Sequence, residues 1–243
     1  MQAALMGCHA VAVTDVNSLA GIVRGKMAAQ EAGIPYIVGC HLQVKAAMGT
    51  LAAGADEGAP TLSLLVYPTD RAAYGRLCRM LTFRKRRAPK GKCRLTLQDV
   101  LDHQAGLLAV VLPPPLTPDF EDTLQVLRAV FDADRLSLAA PCLYDGRDAV
   151  RLGELAAFAR RVGVPLVATN DVHYHVAERK PLQDVLTCVR LGCTIEQAGL
   201  SLFANAERHI KGPEEMARLF AGYPEAIART MAIEIGRASW RER

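Results

Sequence analysis

Arg160–His175 reads RRVGVPLVATNDVHYH, and the order of residue types within it decides the fold. A basic, helix-compatible end meets Gly163, which suits the left-handed position that closes a helix. Pro165 cannot continue that helix and opens an extended segment. Leu166–Thr169 is apolar, and the polar run Asn170-Asp171-Val172-His173 follows at its end. Gln30–Gly39, QEAGIPYIVG, has the same grammar, with Gly33 and Pro35 in the matching places. Two helix-to-strand joints of this kind predict an α/β protein with parallel strands.

Working outward, short apolar runs recur at 9–14, 35–44, 61–67, 106–112, 135–140 and 165–169. They are nearly continuous rather than alternating, as expected for strands covered on both faces. Helix starts lie between them. Thr96 with Asp99 forms a capping-box pattern, and Thr117-Pro118-Asp119 sets a cap, a first-turn proline and a first-turn acid in order. After residue 176 the strand signals stop and three helical stretches follow, so a boundary is placed there. No GxGxxG or Walker loop follows any strand, which argues against dinucleotide and P-loop sites.

The chain has 243 residues, half of them hydrophobic, with a net charge of +4 and a mean hydropathy of +0.12. It is long enough to bury a substantial core. No apolar run reaches the length of a membrane span, and the first residues lack the layout of a signal peptide. The seven cysteines are scattered without a CxxC pair, which fits free thiols in a reducing cytoplasm better than a disulfide framework. The one concentration of charge is Phe83–Arg94, FRKRRAPKGKCR; it reads as a solvated loop or as a patch for phosphates. No serine elbow or Cys/His arrangement is evident.

Chemistry-bearing residues gather at the predicted strand ends. Asp171 and His173 lie two apart and can face one side. With Asp15 and His41 from other strand ends they could supply oxygen and nitrogen ligands to Zn²⁺ or Mn²⁺. A buried hydrogen-bond cluster closing the strand ends is the competing reading.

Three stretches carry a family resemblance. AVAVTDVNSLAGIVRGKMAAQEAGIPYIVGCHLQV resembles a motif region of the PHP (polymerase and histidinol phosphatase) domain. LLVYPTDRAAYGRLCRMLTFRKRRAPKGKCRLTLQDVL and VPLVATNDVHYHVAERKPLQDVLTCVRLGCTIEQAG are similar to the PHP domain at the front of bacterial family C DNA polymerases, nearest its error-prone, damage-induced branch. The resemblance implies a distorted (β/α)7 barrel, here lacking its first strand, over residues 1–176. It implies a helical segment over 177–234 leading toward a palm, and marks 235–243, which resembles nothing in the family, as a non-native tail. The full enzyme would transfer nucleotides in translesion DNA synthesis. It would use Mg²⁺, DNA and deoxynucleoside triphosphates through its palm, fingers and thumb. The catalytic aspartates belong to that palm, so no catalytic residue is expected in this chain.

The resemblance also implies a rim that holds up to three metal ions, and the sequence departs from it. The His-x-His pair of the first strand is expected before Met1. Asp15 is followed by Val16 where active members have histidine, and His41 stands in place of a glutamate. Thr61 and Ala139 stand where a histidine and a glutamate are expected. Asp171 and His173 match the last motif. The rim is therefore expected to be the remnant of a metal site, holding no Zn²⁺ or Mn²⁺, in a scaffold domain. The alternatives are a metal-dependent PHP phosphoesterase or 3′–5′ exonuclease, which should keep most of its ligands, and an interaction module unrelated to nucleic acid.

Overall fold

The computed structural model describes residues 1–45, 61–132 and 134–235. Among the described residues there are eight strands: β1 (Val11–Val13), β2 (Tyr36–Val38), β3 (Cys40–Lys45), β4 (Thr61–Pro68), β5 (Leu95–Thr96), β6 (Leu107–Leu112), β7 (Leu136–Pro141) and β8 (Leu166–Thr169). The helices are α1 (Gln2–Leu5), α2 (Ile22–Glu31), α3 (Arg71–Arg86), α4 (Leu97–His103) and α5 (Pro118–Val130), then α6 (Asp148–Val162), α7 (Lys180–Leu191), α8 (Ile195–Ala198), α9 (Pro213–Leu219) and α10 (Pro224–Ile235). Except for Ile235, the tail at 235–243 lies outside the described residues.

The α/β class is as expected, and the described strands divide into two sheets. Six strands form one sheet in the order β5-β3-β4-β6-β7-β8, while β1 and β2 pair in parallel as a separate ribbon. The two helix-to-strand joints predict parallel strands. Instead β4 runs antiparallel to both neighbours, with Cys40 opposite Val66 on one side and Ser63 opposite Leu112 on the other. A doubly buried apolar run has the same composition in either direction, so the run itself cannot reveal its sense. The single run expected at 35–44 is broken at Gly39. A Cβ there would lie 2.7 Å from the Tyr67 ring and 2.8 Å from the Thr14 methyl, so the close approach requires glycine.

The helix boundaries follow the local chemistry. Gly163 takes φ +67 as the left-handed cap of α6, and Gly33 takes φ +67 just past α2. Thr117 accepts a hydrogen bond from the Phe120 amide, with Pro118 in the first turn of α5. Thr96 and Asp99 form the reciprocal capping box of α4.

Strand periodicity then divides the six-stranded sheet into two faces. Leu64, Val66, Val111, Leu138 and Ala140 point to the main core, against Leu77 and Met80 of α3 and Phe120 and Leu124 of α5. In that core Phe120 stacks on Phe158 of α6 with ring centroids 5.6 Å apart. Val110, Ala139 and Val167 point to the other face, where they meet Leu65, Tyr67 and Ile233. Ile233 belongs to α10, which packs along β8. Phe220 and Ala226 also enter the main core, so residues beyond 176 pack on the sheet. No described helix is long and apolar enough to cross a membrane.

Candidate functional site

The end of β8 feeds directly into the residues that the sequence singles out. Asn170 is buried, and its side-chain amide donates to the carbonyls of His209 (2.5 Å) and Glu207 (3.4 Å). Asp171 then adopts φ +43, a left-handed conformation that non-glycine residues rarely hold without support. The support comes from a segment far along the chain. The His173 amide donates to the Arg208 carbonyl at 2.9 Å, and Tyr174 pairs with His209 as an isolated bridge.

These main-chain contacts bring Arg208 onto the site. Its guanidinium forms an ion pair with Asp171 and lies over the Phe203 ring, 4.0 Å from the centroid. His173 packs on the same ring at 4.7 Å, with its Nε2 3.4 Å from an Asp171 carboxylate oxygen. Burial, then the charge of Arg190, lower the His173 pKa. Asp171 is thus shared between a permanent cation and an imidazole.

His41 lies on β3, beside the segment that holds Asp15. Its amide donates to the Asp15 carbonyl (3.1 Å), and its carbonyl accepts from the Asn17 amide (2.8 Å). The ring is sunk so that Nε2 is buried with no hydrogen-bond partner among the described residues. Burial first, then the charge of His173, lower the His41 pKa. The two imidazoles are therefore within electrostatic reach. The Asp15 side chain is engaged elsewhere. Its carboxylate accepts the Gly21 amide at 2.6 Å and closes the turn that precedes α2.

Of the four residues read from the sequence, Asp171 and His173 are in contact, His41 feels the charge of His173, and the Asp15 carboxylate accepts the Gly21 amide. Among the described residues no three His, Cys, Asp or Glu side chains come together as a set that could hold a metal ion. A catalytic metal requires at least three protein ligands and an open position. The donor set does not fit one, since the better carboxylate is already neutralised by Arg208. Sequence reasoning passed over Arg208, Phe203 and Arg190. No motif spacing links Arg208 to Asp171, and only the fold brings the two together.

No known family profile matches the chain. Individual relatives do. It is 47% identical over 234 residues to the error-prone DNA polymerase of Caulobacter vibrioides, covering 96% of this chain and 20% of that protein. It is 44% identical over 232 residues to error-prone DNA polymerase 1 of Agrobacterium fabrum, with the same coverage. The chain is homologous to a segment of the error-prone DNA polymerases. That segment is about a fifth of the length of the curated relatives it matches. Among solved structures, an amidohydrolase from Chromobacterium violaceum, with bound sulfate and no metal, superposes with a TM-score of 0.51 at 16% identity. It covers 71% of this chain and 80% of that one. This last likeness is one of fold. The homology agrees with the polymerase branch expected from the sequence motifs.

Proposed function

We propose that this chain is the PHP barrel of an error-prone DNA polymerase, acting as a scaffold whose rim has exchanged its metal for an internal cation. The observation that carries this reading is the Arg208–Asp171 ion pair at the end of β8. A guanidinium is always charged and presents its donors in a fixed fork. It supplies the positive charge that the Asp171 carboxylate needs, and it excludes a second cation from the same oxygens by repulsion. Arg190 adds to the same positive field around His173. Asp15, His41, Asp171 and His173 are then structural residues of a former ligand shell. The homology to error-prone polymerases supports the assignment of the whole chain to that setting.

Nucleotidyl transfer during DNA synthesis past lesions belongs, on this reading, to the longer protein. So do its substrates, DNA and deoxynucleoside triphosphates, and its catalytic Mg²⁺. The barrel's role is to pack against the palm and thumb in the cytoplasm.

Metal loading tests the rim. The chain is incubated with excess Mn²⁺ or Zn²⁺, desalted and subjected to elemental analysis. Far less than one ion per chain should remain, with no Mn²⁺-dependent phosphoesterase turnover. Stoichiometric retention that disappears in His173→Ala would overturn the proposal and restore a metal-dependent hydrolase.

A further inference from the structure

The basic run at 83–94 forms one wall of an open groove of about 1200 Å³. The opposite wall is the segment Val16–Ser18 together with Gln43 and Lys45 of β3. Lys45, Lys85, Arg87, Lys90, Lys92 and Arg94 line it, and no Asp or Glu lines it among the described residues. With Arg84, which also lines the groove, these seven cations exceed the net charge of the whole chain, +4, so the rest of the molecule is net negative. The charge is therefore concentrated at this groove and is not a general basicity.

A solvated loop would explain the composition, but the loop is tied at both ends. Arg84, in the last turn of α3, forms an ion pair with the buried carboxylate of Asp99, so this cation anchors the loop. At the other end Leu95 and Thr96 pair in parallel with Val44 and Lys45. Thr96 and Asp99 lock the exit into α4 through the capping box. Within the loop, the Lys92 amide donates to the Pro89 carbonyl at 2.9 Å across Gly91, whose φ is +83. A fixed turn thus presents the exposed side chains of Lys90 and Lys92, with Lys85 and Arg87 exposed beside them. Holding the exposed side chains of Lys85, Arg87, Lys90 and Lys92 together costs energy unless a polyanion offsets it. A preorganised cationic cradle loses little ordering entropy when one binds.

We infer that this groove between β3 and the Arg87–Arg94 loop is a sequence-independent binding site for the phosphate backbone of nucleic acid. The groove has no aromatic lining residue, so it offers bases no stacking platform and grips charge alone. The choice of nucleic acid over an acidic peptide rests on the polymerase reading; the groove itself does not.

The test is fluorescence anisotropy with the 243-residue chain and a labelled single-stranded oligonucleotide across a salt series. Lys90→Ala/Lys92→Ala should lower the magnitude of the log K against log salt slope by about 1.4, at about 0.7 per phosphate contact. Arg24→Ala/Lys26→Ala removes the same charge from the exposed surface of α2 and should leave the slope unchanged. Circular dichroism melts of both variants check that the fold is kept, as expected for exposed side chains. Equal losses in the two variants, or no binding by the parent chain, would refute the site. Polyglutamate binding tighter than the oligonucleotide, with the same dependence on Lys90 and Lys92, would refute the nucleic-acid assignment. Metal retention at the rim reports on the polymerase scaffold separately, so the two readings fail independently.

Discussion

Arg84 and Asp99 form an ion pair with unequal burial, and that inequality predicts which partner is costlier to remove. The Asp99 side chain is 2% exposed and that of Arg84 is 30% exposed. Asp99 also accepts from the Thr96 amide at 2.9 Å and from the Thr96 hydroxyl at 2.8 Å. Arg84→Met keeps the aliphatic stem but leaves a carboxylate in a dry site with only the two Thr96 donors. Stripping a partner from a buried pair typically costs about 3–5 kcal/mol, and the remaining donors set this case near the lower end, about 3 kcal/mol. Asp99→Asn keeps an acceptor for Thr96 and frees a guanidinium that reaches water. Its cost should be about 1–1.5 kcal/mol, one charged hydrogen bond and a weakened cap. Urea unfolding followed by circular dichroism at about 25 °C measures both. The double variant should be less destabilised than the sum of the singles, because the stranded charge is gone. If Asp99→Asn costs as much as Arg84→Met, the carboxylate is hydrated and the account of the loop's anchor fails.

Burial pushes the Cys40 thiol up to about 12 and the Cys142 thiol up to about 11. Native alkylation with iodoacetamide at about pH 8, near the ordinary thiol pKa, should spare both and label the partly exposed Cys78, as peptide mass spectrometry would read. Arg218 and Tyr144 hold the Glu215 carboxyl down at about 2, below its usual 4.5. The lowered pKa means stability present above about pH 4.5 and lost as pH falls toward 2. With the Glu215 side chain 37% exposed, the effect is small, and the advantage of the parent over Glu215→Gln in urea midpoints should vanish by about pH 2. β1 pairs with β2 on one side and with no named strand on the other. Val13, 38% exposed on that strand, should favour edge association, and Val13→Lys should raise the monomer fraction in light scattering.

Much of the fold was readable because its signals are local. Gly163 and Gly33 end helices through backbone geometry that depends on no distant partner, and Thr96-x-x-Asp99 and Thr117-Pro118 announce their helices in the same way. What stayed hidden depends on distant pairing. β5 is two residues long and exists only because Val44 and Lys45 lie beside it. The sense of β4 is set by its neighbours, and the break at Gly39 by the Tyr67 ring. At the rim, spacing placed Asp171 and His173 together, while the Asp15 carboxylate accepts the Gly21 amide in the turn before α2. A short acidic side chain before a helix has a nearby amide to accept, and that contact prevailed over any distant one.

On the proposed reading, the Arg208 contact is how a rim without ions keeps its shape. Metals at such a site do mechanical work as well as chemistry, since one ion ties several strand ends together. Here the ties are hydrogen bonds, an ion pair and a cation–π contact within the chain. Asn170 holds the carbonyls of Glu207 and His209, His173 holds that of Arg208, and the Arg208 side chain returns to Asp171 while resting on Phe203 beside His173. The left-handed turn at Asp171 is thereby fixed from both its main chain and its carboxylate. A permanent cation cannot activate water as a bound metal ion does, because it offers no open coordination position and no lowered water pKa. It can keep a carboxylate ionised and a loop in place. On the proposed reading, the exchange removes hydrolytic chemistry while preserving the packing around the end of β8.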